Sequence, residues 1–226
     1  MAHTFTGLKL HGAIGKFGLT EISDIEGFIE LPDGRVLSSC EWGSMLHWEG
    51  GLIKVEIARK NRKRCHVGPF QQLVIDEGEL MTVGVDGNIR VWDLEAIDNA
   101  EATDESGVFE LEPMNELRVA PGVALKSIIK CELADEVVVW YAQDASGGIW
   151  KLDLSFSHTS QAPEKLASLH SGAIASCDVS PVAPFVASIA QDGRVRLAGG
   201  ARAVQQDGRR RHGAAVGAAR GGGAVS

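Results

Sequence analysis

The stretch Asp86-Gly87-Asn88-Ile89-Arg90-Val91-Trp92-Asp93 decides the fold of this chain. It begins with an Asp-Gly pair typical of a tight turn, continues with the alternation of a half-buried β-strand, and ends in Trp-Asp. Related stretches lie at 42–49, 144–153 and 192–197. Aligned on Trp92, the equivalent positions are 48, 152 and 198, so the intervals are 44, 60 and 46 residues. The chain therefore contains an internal repeat.

This period and the Trp-Asp ending resemble the WD repeat, which is one four-stranded blade of a β-propeller. The resemblance implies an all-β fold: a partial WD-repeat β-propeller of three full blades and part of a fourth. A β-sandwich is the alternative, but it gives no reason for Trp-Asp at constant spacing. The predicted strands are 27–31, 35–40, 44–48 and 52–57; 71–76, 80–85, 89–94 and 116–119; 126–132, 137–142, 149–154 and 165–169; and 174–179, 185–189 and 195–197.

WD repeats also resemble one another in a hydrogen-bonded set of His, Ser or Thr, Asp and Trp. The second blade has the complete set, and the fourth has three members because Ala198 replaces the Trp. The two sets are His66, Thr82, Asp86 and Trp92, and His170, Ser188 and Asp192. A donor-only indole, a hydroxyl that both donates and accepts, and a carboxylate that fixes an imidazole satisfy one another. We therefore predict a structural role for these residues.

The other two blades depart from the set. The third keeps Asp144 but has Trp140 at the predicted Ser/Thr position, and the first keeps Ser38 but has Trp42 in place of the Asp. His, Thr and Asp also build acid–base relays in enzymes. No separate nucleophile or oxyanion site accompanies them here, and the four cysteines form no CxxC pair. The sequence predicts no enzyme, no cofactor and no metal site.

Charge is distributed unevenly along the chain. The first 197 residues carry 17 basic and 29 acidic groups, a formal charge of −12, which argues against general nucleic-acid binding. One basic run lies between the first two blades: Arg59, Lys60, Arg62, Lys63 and Arg64. It is interpreted as a solvated connector, a contact for an anionic partner, or a nuclear import signal. Residues 95–116 hold eight acids and no Lys or Arg, which predicts an unpacked insertion loop.

The repeat pattern divides the chain into three parts. Residues 1–23 are predicted to be a flexible N-terminal segment, 24–197 the partial propeller and 198–226 a low-complexity tail with 8 Gly, 8 Ala and 5 Arg. The tail has two interpretations, a disordered segment or a gene-model artefact from an out-of-frame reading. The sequence contains no run of 18 apolar residues, so no membrane-spanning helix is predicted. Since closed WD propellers have about seven blades, four blades are expected not to close and to expose unpaired faces and edges at both ends.

Several longer stretches carry a more specific resemblance. Residues 40–56, 75–80, 84–92, 140–144 and 149–157 are similar to the cilia- and flagella-associated protein 44 family of large axonemal WD-repeat proteins, including the off-pattern Trp42, Trp140 and Trp150. The resemblance implies a non-enzymatic scaffold in the axoneme of motile cilia and flagella that regulates beating. The implied partners are a paralogous WD-repeat tether subunit, an inner-arm dynein and the doublet microtubule. The alternative is a generic WD-repeat adaptor, such as a ubiquitin-ligase or trafficking platform.

Overall fold

The structure is a computed structural model that describes residues 16–17, 20–21, 25–102, 106–132, 138–183 and 185–199. Two compact units divide the chain, Met1–Ala173 and Ile174–Ser226. Most of the predicted N-terminal segment and tail lies outside the described residues. Within that segment, Lys16–Phe17 (β1) pairs with Thr20–Glu21 (β2). No helix in the described ranges combines the length and apolarity needed to cross a membrane.

The first predicted blade is a sheet with one strand more than expected. Its antiparallel strands are Ile25–Glu30 (β3), Val36–Cys40 (β4), Met45–Glu49 (β5) and Leu52–Ala58 (β6). The fifth strand, Val108–Glu110 (β10), comes from much later in the chain and pairs in parallel with β6. It therefore covers the outer edge of blade 1, which would otherwise present unpaired backbone groups.

The second blade contains the Trp-Asp stretch. Its antiparallel strands are Phe70–Asp76 (β7), Glu79–Gly84 (β8), Asn88–Asp93 (β9) and Asn115–Arg118 (β11). A short helix, Leu94–Asp98 (α1), follows β9 directly. The Asp93 carboxylate accepts a hydrogen bond from Ala96 N at 3.2 Å, so the Asp of the Trp-Asp pair is the helix N-cap.

The third blade and the second unit continue the same pattern. Blade 3 has Leu125–Glu132 (β12), Val138–Asp144 (β13), Gly148–Leu152 (β14) and Glu164–Ser168 (β15). The second unit is a three-stranded antiparallel sheet of Ile174–Val179 (β16), Phe185–Ala190 (β17) and Val195–Gly199 (β18). Successive antiparallel sheets of this kind are propeller blades. The predicted fold, an all-β partial WD-repeat propeller, is confirmed.

Neighbouring blades of the first unit pack through buried apolar side chains. Leu37 and Met45 of blade 1 share a cluster with Leu80 and Trp92 of blade 2. The opposite face of blade 2 forms a second cluster with blade 3: Met81, Val83, Ile89 and Val91 with Ile128, Trp140 and Leu152. Because side chains of a strand alternate between faces, β8 and β9 of blade 2 each contribute to both interfaces. The stability of one blade therefore depends on the next.

The acidic insertion differs from the prediction, since its described residues are packed. It contains α1 and β10, and the side chains of Ile97, Ala100 and Val108 are buried. Its carboxylates meet basic partners from outside the insertion: Asp98 with Arg35, Glu112 with Arg59, and Glu116 with Arg90. The prediction counted charges within the segment only, whereas these cations come from blades 1 and 2 and the connection between them.

This packing gives a direct test by substitution. Ile97→Ala should lower the free energy of unfolding by about 2–3 kcal/mol because it leaves a cavity under α1. Urea unfolding followed by tryptophan fluorescence measures this, since all five Trp residues lie in the first unit. The matched control is Ile129→Ala, where the side chain is 62% exposed and the change should be small. Equal effects of the two substitutions would contradict a packed insertion.

Candidate functional site

The structure brings together the four residues that the sequence grouped in blade 2. His66, in the connection before β7, has Nδ1 3.0 Å from Asp86 Oδ1 and Nε2 2.8 Å from Thr82 Oγ1. The indole Nε1 of Trp92 donates to Thr82 Oγ1 at 2.9 Å. His66, Thr82 and Trp92 are at most 1% exposed, and their polar atoms are directed at one another. This geometry supports a structural role over an acid–base relay.

Asp86 holds the turn at the solvent side of this set. It accepts hydrogen bonds from Val67 N and Asn88 N, each at 3.1 Å, and from Arg90 Nη1 at 3.1 Å. Arg90 also donates through Nη2 to Glu116 at 2.8 Å. Sequence reasoning missed Arg90, which is only 5% exposed, because it occupies a polar position in an alternating strand. Its spacing four residues after Asp86 was the available signal.

The network shifts the pKa values of both titrating partners. Burial alone would raise the pKa of Asp86, but the hydrogen bond and charge of His66 and the Val67 and Asn88 N–H groups hold it well below its usual range. Burial is the largest influence on His66 and lowers its pKa, although Asp86 acts in the opposite direction. The set is therefore a carboxylate beside a neutral imidazole near neutral pH.

We expect the first unit to lose stability as the pH falls below 6.5, the ordinary pKa of His66. In that range the unfolded chain binds a proton that the buried imidazole resists, at a cost of up to about 1.4 kcal/mol per pH unit. A second loss of stability begins below pH 3.8, the ordinary pKa of Asp86, because the carboxylate then binds a proton in the unfolded chain but not in the folded one. Urea unfolding across this range measures both slopes.

The control for this pH dependence is His66→Gln. It should remove much of the slope between neutral pH and pH 5.5, leaving the part due to buried His47, whose pKa burial also lowers. Stability that stays constant over the same range in the parent chain would contradict a buried neutral His66.

Blade 3 requires a correction to the predicted alignment. Trp140 pairs with Leu152, as Leu80 pairs with Trp92. Asp144 is therefore equivalent to Gly84, and not to Asp86 as predicted. Ala142, and not Trp140, is equivalent to Thr82. The prediction matched the two aspartates because a glycine-containing turn follows each, although Asp144 lies eight positions before residue 152 and Asp86 six positions before Trp92. The strand register agrees with the spacing of the repeat and places Ser146 at the position of Asp86.

Asp144 nevertheless organises the polar centre of blade 3. It accepts hydrogen bonds from Ser146 N at 2.8 Å, Gly148 N at 2.7 Å and Trp150 Nε1 at 2.8 Å. In blade 2 the same position must be Gly84, because a Cβ there would overlap the His66 imidazole and the Asp86 carboxylate. In both blades a carboxylate accepts the hydrogen bonds of the turn N–H groups. The two carboxylates stand at positions that are two residues apart when the blades are aligned.

The other predicted site residues lie in blade 1, elsewhere in the first unit and in the second unit. In blade 1, Trp48 Nε1 donates to Ser38 Oγ at 2.7 Å, as Trp92 does to Thr82, and Trp42 occupies the position of Asp86. His170 is buried in the first unit. Ser188 and Asp192 belong to the second unit, where the Asp192 carboxylate accepts a hydrogen bond from Arg194 N at 3.0 Å. The grouping of these three residues stays a prediction.

The basic run forms a loop closed by backbone hydrogen bonds between Arg59 and Lys63, around a short 3₁₀ turn, Lys60–Arg62. One side of the loop binds carboxylates of the insertion. Arg59 Nε and Lys60 N donate to Glu112 at 2.9 and 2.8 Å, and Arg62 N donates to Glu110 at 3.0 Å. The basic run and the acidic insertion are therefore in contact with each other.

The other side of the loop faces a groove of about 650 Å³. We call it the Trp42 groove; its lining includes Trp42 and Val67 and, from the loop, Arg59, Arg62, Lys63 and Arg64. The Arg64 guanidinium lies 5.5 Å from the centre of the Trp42 ring, and its Nη1 donates to the Trp42 carbonyl at 2.6 Å. Elsewhere, no three His, Cys, Asp or Glu side chains of the described residues are grouped to hold a metal ion.

Comparison with known proteins begins with solved structures. No protein-family model matches the chain. The C-terminal WD40 domain of Sif2 gives a TM-score of 0.47 and covers 76% of this chain and 45% of its own, at 13% identity. The WD40 β-propeller domain of Doa1 gives 0.46 and covers 80% of this chain and 51% of its own, also at 13% identity.

Curated relatives carry a more specific likeness. Proteins named cilia- and flagella-associated protein 44 are 54% identical in Mus musculus, 40% in Chlamydomonas reinhardtii and 32% in Trypanosoma brucei brucei, over 87%, 68% and 87% of this chain. The chain spans only 11%, 9% and 13% of those proteins. The resemblance found in the sequence is thereby confirmed: over most of its length, this chain is homologous to a short part of cilia- and flagella-associated protein 44.

Proposed function

We propose that this chain is part of a non-enzymatic scaffold in the axoneme of motile cilia and flagella. The observation that carries the proposal is the 54% identity with the mouse protein over 87% of the chain, with relatives in two further flagellated organisms. Sequence similarity between such distant species, in a fold that commonly binds other proteins, favours an assembly that their cilia share. This location distinguishes the proposal from a generic WD-repeat adaptor.

Within that scaffold, we propose that the complete protein tethers an inner-arm dynein to the doublet microtubule and so regulates beating. The partners would be the dynein, the microtubule and a paralogous WD-repeat tether subunit, as the family resemblance implies. This chain would supply blades to the larger propeller. The blade 2 set supports a scaffold role, because its imidazole and hydroxyl are buried and directed at each other.

The location can be tested by fractionating cilia with an antibody raised against this chain. We expect the antigen in axonemes after detergent and salt extraction, and its loss from axonemes that lack the base of the inner-arm dynein. Cross-linking mass spectrometry on intact axonemes should then join residues 59–64 or 95–116 to tether or dynein subunits. A diffuse cytosolic or nuclear pool would contradict the scaffold and favour an adaptor.

The same proposal assigns the propeller to residues 24–197, with β18 extending two residues further to Gly199, and leaves the remainder of 198–226 as a low-complexity tail. The tail's composition supports this assignment, with 5 Arg, no Lys and one acid, whereas the preceding body is acidic. Sequencing the transcript across the codons for residues 192–200 tests its origin. An uninterrupted reading frame to Ser226 would refute an out-of-frame origin and leave a disordered tail.

A further inference from the structure

The Trp42 groove combines an exposed aromatic face with positive charge. The Trp42 side chain is 48% exposed and Val67 is 79% exposed, and both line the groove. Lys63 and Arg64 line the same groove. Tryptophan and arginine together are the residue types that dominate binding energy at protein interfaces. The groove therefore has the composition of a recognition surface.

The cations of the loop differ in their partners, although Arg59 and Arg62 line the groove together with Lys63 and Arg64. Arg59 and the backbone of Lys60 and Arg62 bind Glu110 and Glu112. Within the described part of the chain, neither Lys63 nor Arg64 forms an ion pair with a carboxylate. Both lie along the groove. Their positive charge is therefore available to an external anion.

The chain already shows which anion this loop recognises. The bound segment is Glu110-Leu111-Glu112, whose two carboxylates meet the loop while Leu111 packs against the apolar core. Leu111 N also donates to the carbonyl of Ala58 at 2.8 Å, so the segment is held in an extended form. An acidic–apolar–acidic sequence is thus the ligand chemistry that one side of the loop binds.

We propose that the Trp42 groove binds a short acidic peptide segment of a partner protein. The carboxylates of that segment pair with Lys63 and Arg64, and one apolar side chain packs on Trp42 and Val67. The inference rests on the proposed scaffold function only in requiring a protein partner. A nucleic acid fits poorly, because the body carries a charge of −12 and Glu110 and Glu112 lie beside the same loop.

Fluorescence anisotropy on the purified 226-residue chain tests the proposal without any axoneme. The probe is a short fluorescein-labelled peptide of alternating Glu and Leu, compared with an all-Glu peptide and a short single-stranded DNA. We expect the Glu-Leu peptide to bind more tightly than both. Lys63→Glu with Arg64→Glu should weaken its binding by at least about tenfold, because opposite charges become like charges.

The matched control carries the same change in charge on exposed residues elsewhere, Arg118→Glu with Lys126→Glu, and should retain binding within about twofold. Trp42→Ser should weaken the Glu-Leu peptide but not the all-Glu peptide. Circular dichroism verifies that each variant is folded. Three results would overturn the inference: no peptide binding by the parent chain, an equal loss in the control variant, or tighter binding of the DNA through Lys63 and Arg64. None of these three results tests the proposed axonemal location, which is measured separately in cilia.

Discussion

Asp86→Ala should lower the free energy of unfolding of the first unit by about 3–5 kcal/mol, since it breaks a buried charged network by removing one partner. The substitution removes the acceptor for Val67 N, Asn88 N and Arg90, and the partner of the His66 imidazole. Arg90, only 5% exposed, would keep Glu116 alone as its carboxylate partner. Urea unfolding followed by tryptophan fluorescence measures the loss.

The control is Asp33→Ala at the turn of blade 1. Asp33 also accepts a hydrogen bond from the residue two positions later, Arg35 N at 3.0 Å, and pairs with the Arg35 side chain. That site is exposed, so its removal should change stability little. If Asp86→Ala proved as mild as Asp33→Ala, the blade 2 network would not be a main support of the fold.

Gly43→Ala should destabilise the first unit by about 2–5 kcal/mol, because two costs add. Gly43 has φ of 86°, which favours glycine. In addition, a Cβ at this position would overlap the carbonyl oxygen of His66, a backbone atom that a rotamer change cannot move. Gly43 O also accepts a hydrogen bond from His66 N at 3.0 Å, so the strain would reach the blade 2 network.

A matched glycine isolates the steric part of this effect. Gly34 has φ of 88°, but a Cβ there meets no atom within 4 Å. Gly34→Ala should therefore cost only the conformational term, about 1–2 kcal/mol, in the same unfolding assay. Equal losses of stability at the two positions would show that the backbone around Gly43 and His66 can shift to accommodate a Cβ.

The repeat pattern predicted most of the strands to within two residues. The strand predicted at 71–76 is Phe70–Asp76, and the one at 174–179 is Ile174–Val179. Alternation and turn residues are local signals, so they mark a strand wherever its partner lies. The contacts among His66, Thr82, Asp86 and Trp92 also follow from spacing along a single blade.

The two errors have different physical origins. In blade 3 the turn residues favoured matching Asp144 with Asp86, whereas the pairing of Trp140 with Leu152 matches it with Gly84. The acidic insertion appeared unable to pack because Arg35, Arg59 and Arg90, its counter-ions, lie elsewhere in the sequence. A count of charges within one segment does not include the cations that the fold brings to it.

Strand β10 connects blades 1 and 2 in a way that simple repeats do not. In most repeat proteins each unit follows the last, so unfolding can spread one unit at a time. Here the chain passes from blade 1 into blade 2, returns to pair Val108–Glu110 with β6, and then re-enters blade 2 at β11. Separating the two blades therefore requires the β6–β10 pairing to break. We therefore expect blades 1 and 2 to melt in a single cooperative step, and any autonomous fragment of this propeller to contain both.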